Sequence, residues 1–135
     1  MLNGFSLLWL ISIFSISSST VLYITNEKYE LIQFAHDIAV INHINPEKFI
    51  RLINCESQFE YAFGDYRSET GEHMAHGPAQ WWLSSWNKYK NLYDMEYLNY
   101  KNSKDQIVLA AVVIGRNKKG IFNWYNCGKK IGMIE

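Results

Sequence analysis

The sequence predicts an α+β domain that is mostly α-helical, with a short β-hairpin or loop behind its second helix. Apolar residues recur with helical spacing over residues 26–42 and 46–56, and residues 107–114 are apolar on every side. Residues 58–76 contain glycine and polar side chains without a helical period, so we expect a loop or hairpin there. With 135 residues, 48% of them hydrophobic, the chain is long enough for one domain with a substantial core.

The first 25 residues differ from the rest of the chain. They carry no charged side chain, and an apolar core over residues 5–16 precedes the small polar residues 17–20. This pattern is typical of a secretory signal peptide. The same run is long enough to cross a bilayer, so an N-terminal membrane anchor is the alternative. Either interpretation predicts export and leaves residues 26–135 as the globular domain.

The first helix of that domain is predicted over residues 26–42. Its inward face would consist of residues spaced three and four apart: Leu31, Phe34, Ala35, Ile38 and Ile41. A second helix is expected to begin at Asn45 and Pro46, because asparagine caps helices and proline is favoured at their first position. This helix would bring Cys55 and Glu56 to its last turn.

Two further helices are expected after the loop. Gly77-Pro78 is predicted to open a helix that runs to about Tyr93. Residues 103–106 match a capping box, and the uniformly apolar residues 107–114 that follow predict a central buried helix. The tail, residues 121–128, is rich in aromatic side chains.

Composition excludes some partners and favours others. Thirteen basic and thirteen acidic residues give a net charge of zero, so nothing favours binding to nucleic acid. Residues 56–72 hold five acids and one base, whereas residues 116–130 hold five bases and no acid. Solvated faces explain this pattern most simply. The alternative is a cleft with an acidic wall and a basic rim for an anionic glycan.

The two cysteines, Cys55 and Cys127, predict a single disulfide in an exported chain. Two free buried thiols are the alternative. His73 and His76 are three residues apart, but no Cys/His cluster joins them, so neither a metal nor another cofactor is predicted.

Glu56 is the candidate catalytic residue. A carboxylate at the C-terminal end of a helix faces the negative end of the helix dipole, which raises the pKa of the acid. A raised pKa suits a general acid. The aromatic fraction of 16% favours a site that stacks flat ligands, and Trp81, Trp82 and Trp86 are predicted as core residues with one of them exposed to ligand.

The order of these motifs resembles the lysozyme-like lytic transglycosylases. That family has Glu-Ser at a helix end, then Gly-Leu-Met-Gln or a close variant, and then Ala-Tyr-Asn. The corresponding residues here, in the same order, are Glu56-Ser57, Gly77-Pro78-Ala79-Gln80 and Tyr125-Asn126. The likeness covers residues 45–128, and the Cys-Glu-Ser start and Trp-x-x-Cys end resemble a subgroup of small exported relatives. Pro and Ala in place of Leu-Met are a departure at the floor of the cleft.

The resemblance implies a lysozyme-like fold with Glu56 as the catalytic acid. It also implies that Ser57 supplies a hydroxyl that supports the acid and that Gln80 contacts substrate. Tyr125 and Asp65 complete the predicted substrate-binding residues, although a turn position explains Asp65 more simply.

The implied activity is cleavage of the bond between N-acetylmuramic acid and N-acetylglucosamine in peptidoglycan, with 1,6-anhydro-muramic ends as products. A true muramidase is the closest alternative, and it would use Asp65, Glu69 or Glu72 as a second carboxylate. Two alternatives are not enzymes: a glycan-binding or structural protein on the same scaffold, and a membrane-anchored interaction protein. The predicted partner is the peptidoglycan strand, with possible membrane attachment through residues 1–25.

Overall fold

The computed structural model describes residues 26–135, so the signal peptide or anchor predicted for residues 1–25 lies outside the described residues. Residues Leu31–Glu135 form one compact unit, and this unit carries the candidate site. It is mostly helical with one small antiparallel sheet, which confirms the predicted α+β, mostly α, class. Within residues 26–135, no helix has both the length and the apolar character needed to cross a membrane.

Helix α1 is helical from the first described residue, 26, and ends at residue 41, close to its predicted end. Helix α2 covers Pro46–Ser57, close to its predicted bounds. The side chain of Asn45 caps α2 by accepting a 2.9 Å hydrogen bond from the backbone N–H of Lys48. One predicted core position is wrong, because Ile41 is 69% exposed at the end of α1 while Ala39 is fully buried.

The segment after α2 contains a sheet of two very short strands, β1 (Ala75–His76) and β2 (Trp81–Trp82). The strands are antiparallel and are joined by residues 77–80, which form a turn. The prediction that Gly77-Pro78 opens a helix is therefore wrong. Gly77 and Gln80 both have positive φ, at 78° and 51°, and a helix cannot contain such residues. Helix α3 begins only at Leu83 and ends at Leu92.

Helix α4, Ser103–Arg116, is the central buried helix that the sequence predicts. Residues from Gln106 to Val113 lie in the core, except for the half-buried Val108. The cap is one residue earlier than expected. Asn102 accepts hydrogen bonds from the N–H groups of Lys104 and Asp105, and Ser103 is the first helical residue.

The tail forms a 3-10 helix, Gly120–Trp124, followed directly by helix α5, Tyr125–Lys130. The 3-10 helix contacts α4, and α5 contacts α2. Cys55 in α2 is bonded to Cys127 in α5, as the sequence predicts, with a Cα–Cα distance of 5.9 Å. A disulfide fits the oxidising environment that exported proteins meet.

Candidate active site

The end of α2, the hairpin and the start of α5 enclose an open cleft of about 540 Å³. Four of the five predicted catalytic or substrate-binding residues line it: Glu56, Asp65, Gln80 and Tyr125. These residues come from positions up to 69 apart in the sequence, so the fold brings them together. The fifth, Ser57, is buried and is not among the lining residues.

Glu56 occupies the last turn of α2 and is partly buried in the cleft wall. Desolvation by burial raises the pKa of its carboxyl from 4.5 to about 7. Within residues 26–135, no side chain or backbone group donates a hydrogen bond to this carboxyl, and no cation pairs with it. The protonated acid is therefore well populated near neutral pH, which is the state that a general acid requires.

Ser57 joins α2 to the hairpin turn. Its hydroxyl is buried and donates a 2.7 Å hydrogen bond to the carbonyl oxygen of Pro78, with the Ile53 carbonyl oxygen at 3.3 Å as a second neighbour. The hydroxyl thus fixes the distance between α2 and the turn that carries Gln80. Its support of the site acts through the backbone of the turn.

Gln80 is held with its amide against the hairpin. Its Nε2 donates to the carbonyl oxygens of Gly77 and Ala62, at 2.8 Å and 3.1 Å. A Cβ added at Gly64 would lie 2.9 Å from Gln80 Oε1, so only glycine leaves room for this side chain. The absence of a side chain at Gly64 therefore leaves the space that the Gln80 amide occupies.

The turn itself rests on the central helix. Gly77 has no room for a Cβ because the amide group of Gln106 lies directly against it. Gln106 is fully buried in α4, and its Nε2 donates a 2.7 Å hydrogen bond to the Tyr100 carbonyl oxygen. Within the described residues its Oε1 has no hydrogen-bond partner. The turn is thus anchored at two points, Gly77 on Gln106 and Pro78 on Ser57.

The tryptophans divide as expected between core and cleft. Trp81 and Trp86 are 2% and 1% exposed, whereas Trp82 is 41% exposed and lines the cleft. Alternation along strand β2 explains the difference between Trp81 and Trp82, because neighbouring residues of a strand point to opposite faces. Indole Nε1 of Trp81 donates to the Gln106 carbonyl oxygen at 3.1 Å, which fixes the inward ring on α4.

Of the three candidate second carboxylates, Asp65 alone is among the residues lining the cleft of Glu56. Glu72 lines a separate cavity of about 620 Å³ on the loop 58–76, together with His73 and Phe63. Glu69 is exposed. None of the five bases of residues 116–130 is among the cleft-lining residues. All five are exposed, and Lys129 Nζ lies 6.0 Å from the ring centroid of Tyr125.

Two polar lining residues carry no clear signal in the sequence, namely Ser85 and Asn123. Asn123 Nδ2 donates to the Gly120 carbonyl oxygen at 2.7 Å and to the Tyr89 hydroxyl at 3.2 Å. Ser85 belongs to the first turn of α3. The sequence predicts the start of that helix at Gly77, and this wrong start conceals that Ser85 follows Trp82 at the cleft edge.

His73 and His76 have structural hydrogen bonds. Ring nitrogen Nδ1 of His73 lies 2.5 Å from the Gly64 carbonyl oxygen, and Nε2 of His76 lies 2.8 Å from the carbonyl oxygen of His73. Each ring therefore donates to the backbone of the loop. In the described part of the chain, no cluster of His, Cys, Asp or Glu has the composition of a metal site.

Comparison of the chain with family models, with curated proteins and with solved structures finds no match.

Proposed function

We propose that this protein cleaves the glycan strands of peptidoglycan as a lytic transglycosylase of lysozyme-like fold. The observation that carries the proposal is Glu56, a carboxyl with a pKa raised to about 7 in the wall of an open cleft. The cleft also offers exposed aromatic rings, Trp82 and Tyr125, on which the C–H faces of sugars can stack. The order of the Glu-Ser, Gly-Pro-Ala-Gln and Tyr-Asn motifs supports the same assignment.

In the proposed reaction, Glu56 donates its proton to the oxygen that joins N-acetylmuramic acid to N-acetylglucosamine. The bond from that oxygen to the anomeric carbon of the muramic acid breaks, and the acetamido group of the same sugar stabilises the resulting cation. The 6-hydroxyl of the muramic acid then attacks the anomeric carbon. Glu56, now ionised, accepts the proton of this hydroxyl and returns to its starting state.

A hydrolytic reaction is the second candidate, and one observation favours it. Asp65 lines the same cleft as Glu56 and could hold a water or act as nucleophile. The products distinguish the two reactions, because a transglycosylase leaves anhydro ends and a hydrolase leaves reducing ends. Asp65→Asn should spare a transglycosylase and abolish a hydrolase.

The test of the proposal is Glu56→Gln assayed on purified peptidoglycan. The amide keeps the shape of the side chain and has no proton to donate, so we expect digestion to fall by about 10² to 10⁴-fold. Glu60→Gln is the matched control, since Glu60 is exposed and is not among the cleft-lining residues. Unchanged digestion by folded Glu56→Gln protein would refute the assignment. Lack of digestion by the wild type, with glycan binding intact, would favour the non-catalytic alternatives.

We also propose that the protein is exported. The Cys55–Cys127 disulfide and the apolar sequence of residues 1–25 both favour it. Attachment to the membrane through residues 1–25 is the alternative to release.

A further inference from the structure

A second cavity lies on the other face of strand β1 from the cleft. Ala75 lines the cleft and its neighbour His76 lines the second cavity, as the alternation of side chains along a strand requires. The second cavity has a volume of about 620 Å³, larger than the 540 Å³ of the cleft and typical of pockets that bind ligands. Glu56 is not among its lining residues, so the reaction proposed for the cleft gives this cavity no role.

The walls of the second cavity are mainly aromatic and apolar. Phe63 is 55% exposed and packs against both loop histidines, with its ring centroid 5.4 Å from that of His73 and 5.0 Å from that of His76. The other apolar side chains in the lining are Met74, Leu83 and Tyr100. An exposed phenylalanine in a concave apolar surface is typical of a site that takes up an apolar group.

A smaller hollow of about 490 Å³ adjoins this cavity, because Phe63 and His76 line both. Each of the two hollows carries one cation, Arg67 in the larger and Lys101 in the smaller. Both bases are exposed, and neither forms an ion pair in the part of the chain that the structure describes. Among the described residues that line the two hollows, Glu72 is the only acid, so positive charge exceeds negative charge.

The backbone beside the second cavity has a free edge. Phe63 is bridged to His76 and Arg67 to His73, and both pairs are antiparallel. The hydrogen bonds on either side of each pair, 2.8 to 3.0 Å long, belong to the neighbouring residues. In such a pair the N–H and C=O groups of the bridged residue point away from the partner strand. Within residues 26–135 the N–H groups of Phe63 and Arg67 donate no hydrogen bond, so they can pair with an extended chain.

We propose that this cavity is a docking site for an acidic peptide segment of a partner protein, bound in extended form along residues 63–67. An apolar side chain of the segment fills the space beside Phe63. Acidic side chains before and after it pair with Arg67 and Lys101. The backbone of the segment forms hydrogen bonds with the outward N–H and C=O groups of Phe63 and Arg67.

A peptide accounts for the apolar walls, the cations and the backbone edge together. A purely apolar ligand leaves the two bases without a counter-charge, and a small anion leaves the apolar walls in water. Neither of them uses the N–H groups of the edge. Docking at this site leaves the Glu56 cleft open and does not depend on the reaction proposed there.

The experiment is a calorimetric titration of the full chain with the peptide acetyl-Glu-Glu-Phe-Leu-Glu-Glu-amide. Phe63→Ala should weaken binding by about tenfold through the loss of apolar contact. Arg67→Ala and Lys101→Ala should each weaken it by about threefold, the usual size for an exposed ion pair. The matched controls are Phe122→Ala and Arg116→Ala, because Phe122 is 53% exposed, Arg116 is exposed and neither residue lines the two hollows.

Two further measurements locate the peptide and test its charge. Tyr125 lines the Glu56 cleft and not the second cavity, so Tyr125→Ala should bind the peptide like the wild type. A peptide with Gln in place of each Glu should bind several-fold more weakly, because it has no charge to pair with Arg67 and Lys101.

The proposal is overturned by a wild type that does not bind the acidic peptide or that binds the Gln peptide equally well. It is also overturned if Tyr125→Ala or Phe122→Ala loses as much binding as Phe63→Ala. If Phe63→Ala fails to fold, the losses in Arg67→Ala and Lys101→Ala decide, because both side chains lie on the surface. Peptide binding is measured without glycan, so the outcome of the digestion assay does not affect it.

Discussion

The two sides of the cleft are stabilised by different interactions. Helix α2 reaches the cleft from the core, with Phe49, Leu52 and Ile53 fully buried behind Glu56. The hairpin side, residues 58–82, has only two short strands and is held mainly by hydrogen bonds to backbone groups and by its contacts with α4. Burial on the helical side produces the raised pKa of Glu56, whereas the hairpin side presents the exposed rings and amides.

We infer from this difference that the ionisation of Glu56 and the binding of ligand can be altered separately. Changes on the helical side should act on stability and on the ionisation of Glu56. Changes on the hairpin side should act on ligand binding, unless they reach the points where the turn is anchored, Gly77 and Pro78. The predictions below test this division, beginning with the largest expected effect.

Removing the disulfide should weaken the helical side most. The bond joins residues 72 apart, and the chain-entropy estimate for a loop of this size is about 4 kcal/mol of unfolding free energy. We expect the double variant Cys55→Ala/Cys127→Ala to have a much lower Tm than the wild type in thermal unfolding. Its midpoint in urea unfolding should also be lower.

Reduction of the wild type provides the control for this variant. Wild-type protein with a thiol reductant should match the double variant, and the variant itself should not respond to the reductant. A double variant as stable as the oxidised wild type would contradict the prediction.

Gly77→Ala should release the hairpin from the core. The added methyl would overlap the amide of Gln106 and would also require an alanine at a φ of +78°. Together the overlap and the strained backbone should reduce the unfolding free energy by about 3 kcal/mol. Urea unfolding measures the loss, and digestion of peptidoglycan measures the displacement of the hairpin.

Gly71→Ala separates the two causes. Gly71 has a similar φ of +84°, but nothing lies within 4 Å of an added Cβ. This variant should lose about 1 kcal/mol through backbone strain alone. Equal losses in the two variants would show that the contact with Gln106 does not anchor the turn.

The pH dependence of stability should report the burial of Glu56. The unfolded chain releases this proton near pH 4.5, and the folded protein keeps it until about pH 7. Between these values the unfolded state binds fewer protons, so the unfolding free energy of the wild type falls as pH rises. The full effect is about 2 kcal/mol, after allowance for the partial exposure of the carboxyl.

Glu56→Gln lacks this ionisation and serves as the comparison. We expect its advantage in stability over the wild type to grow from pH 4.5 to pH 7 and then to stay constant. If the stability of Glu56→Gln relative to the wild type is the same at all pH values, the Glu56 carboxyl is exposed to water and is not buried in the cleft wall. Thermal melting across this pH range measures the difference.

Local patterns predicted the helical side well. Asn45 and Pro46 marked the start of α2, and the apolar run after Gln106 marked the central helix, because caps and burial leave traces within a few residues. The position of Glu56 in the last turn followed from those bounds. The pairing of the two cysteines also followed, since the chain contains no other cysteine.

The hairpin side was harder to predict because its conformation depends on distant contacts. Glycine followed by proline fits both a helix start and a turn, and the contact of Gly77 with Gln106 decides in favour of the turn. Strands of two residues have no period to detect. The sequence predicts one exposed tryptophan, but only the folded structure, in which Trp82 is 41% exposed, identifies which one.

The alternation of Trp81 and Trp82 also makes the length of the turn critical. In a strand, a shift of one residue exchanges the two faces. Deleting or inserting one residue between Gly77 and Gln80 would turn Trp82 toward α4 and Trp81 toward solvent, and would remove the hydrogen bond from Trp81 to the Gln106 carbonyl oxygen. Natural variants of this protein should therefore accept substitutions within the turn more readily than changes in its length.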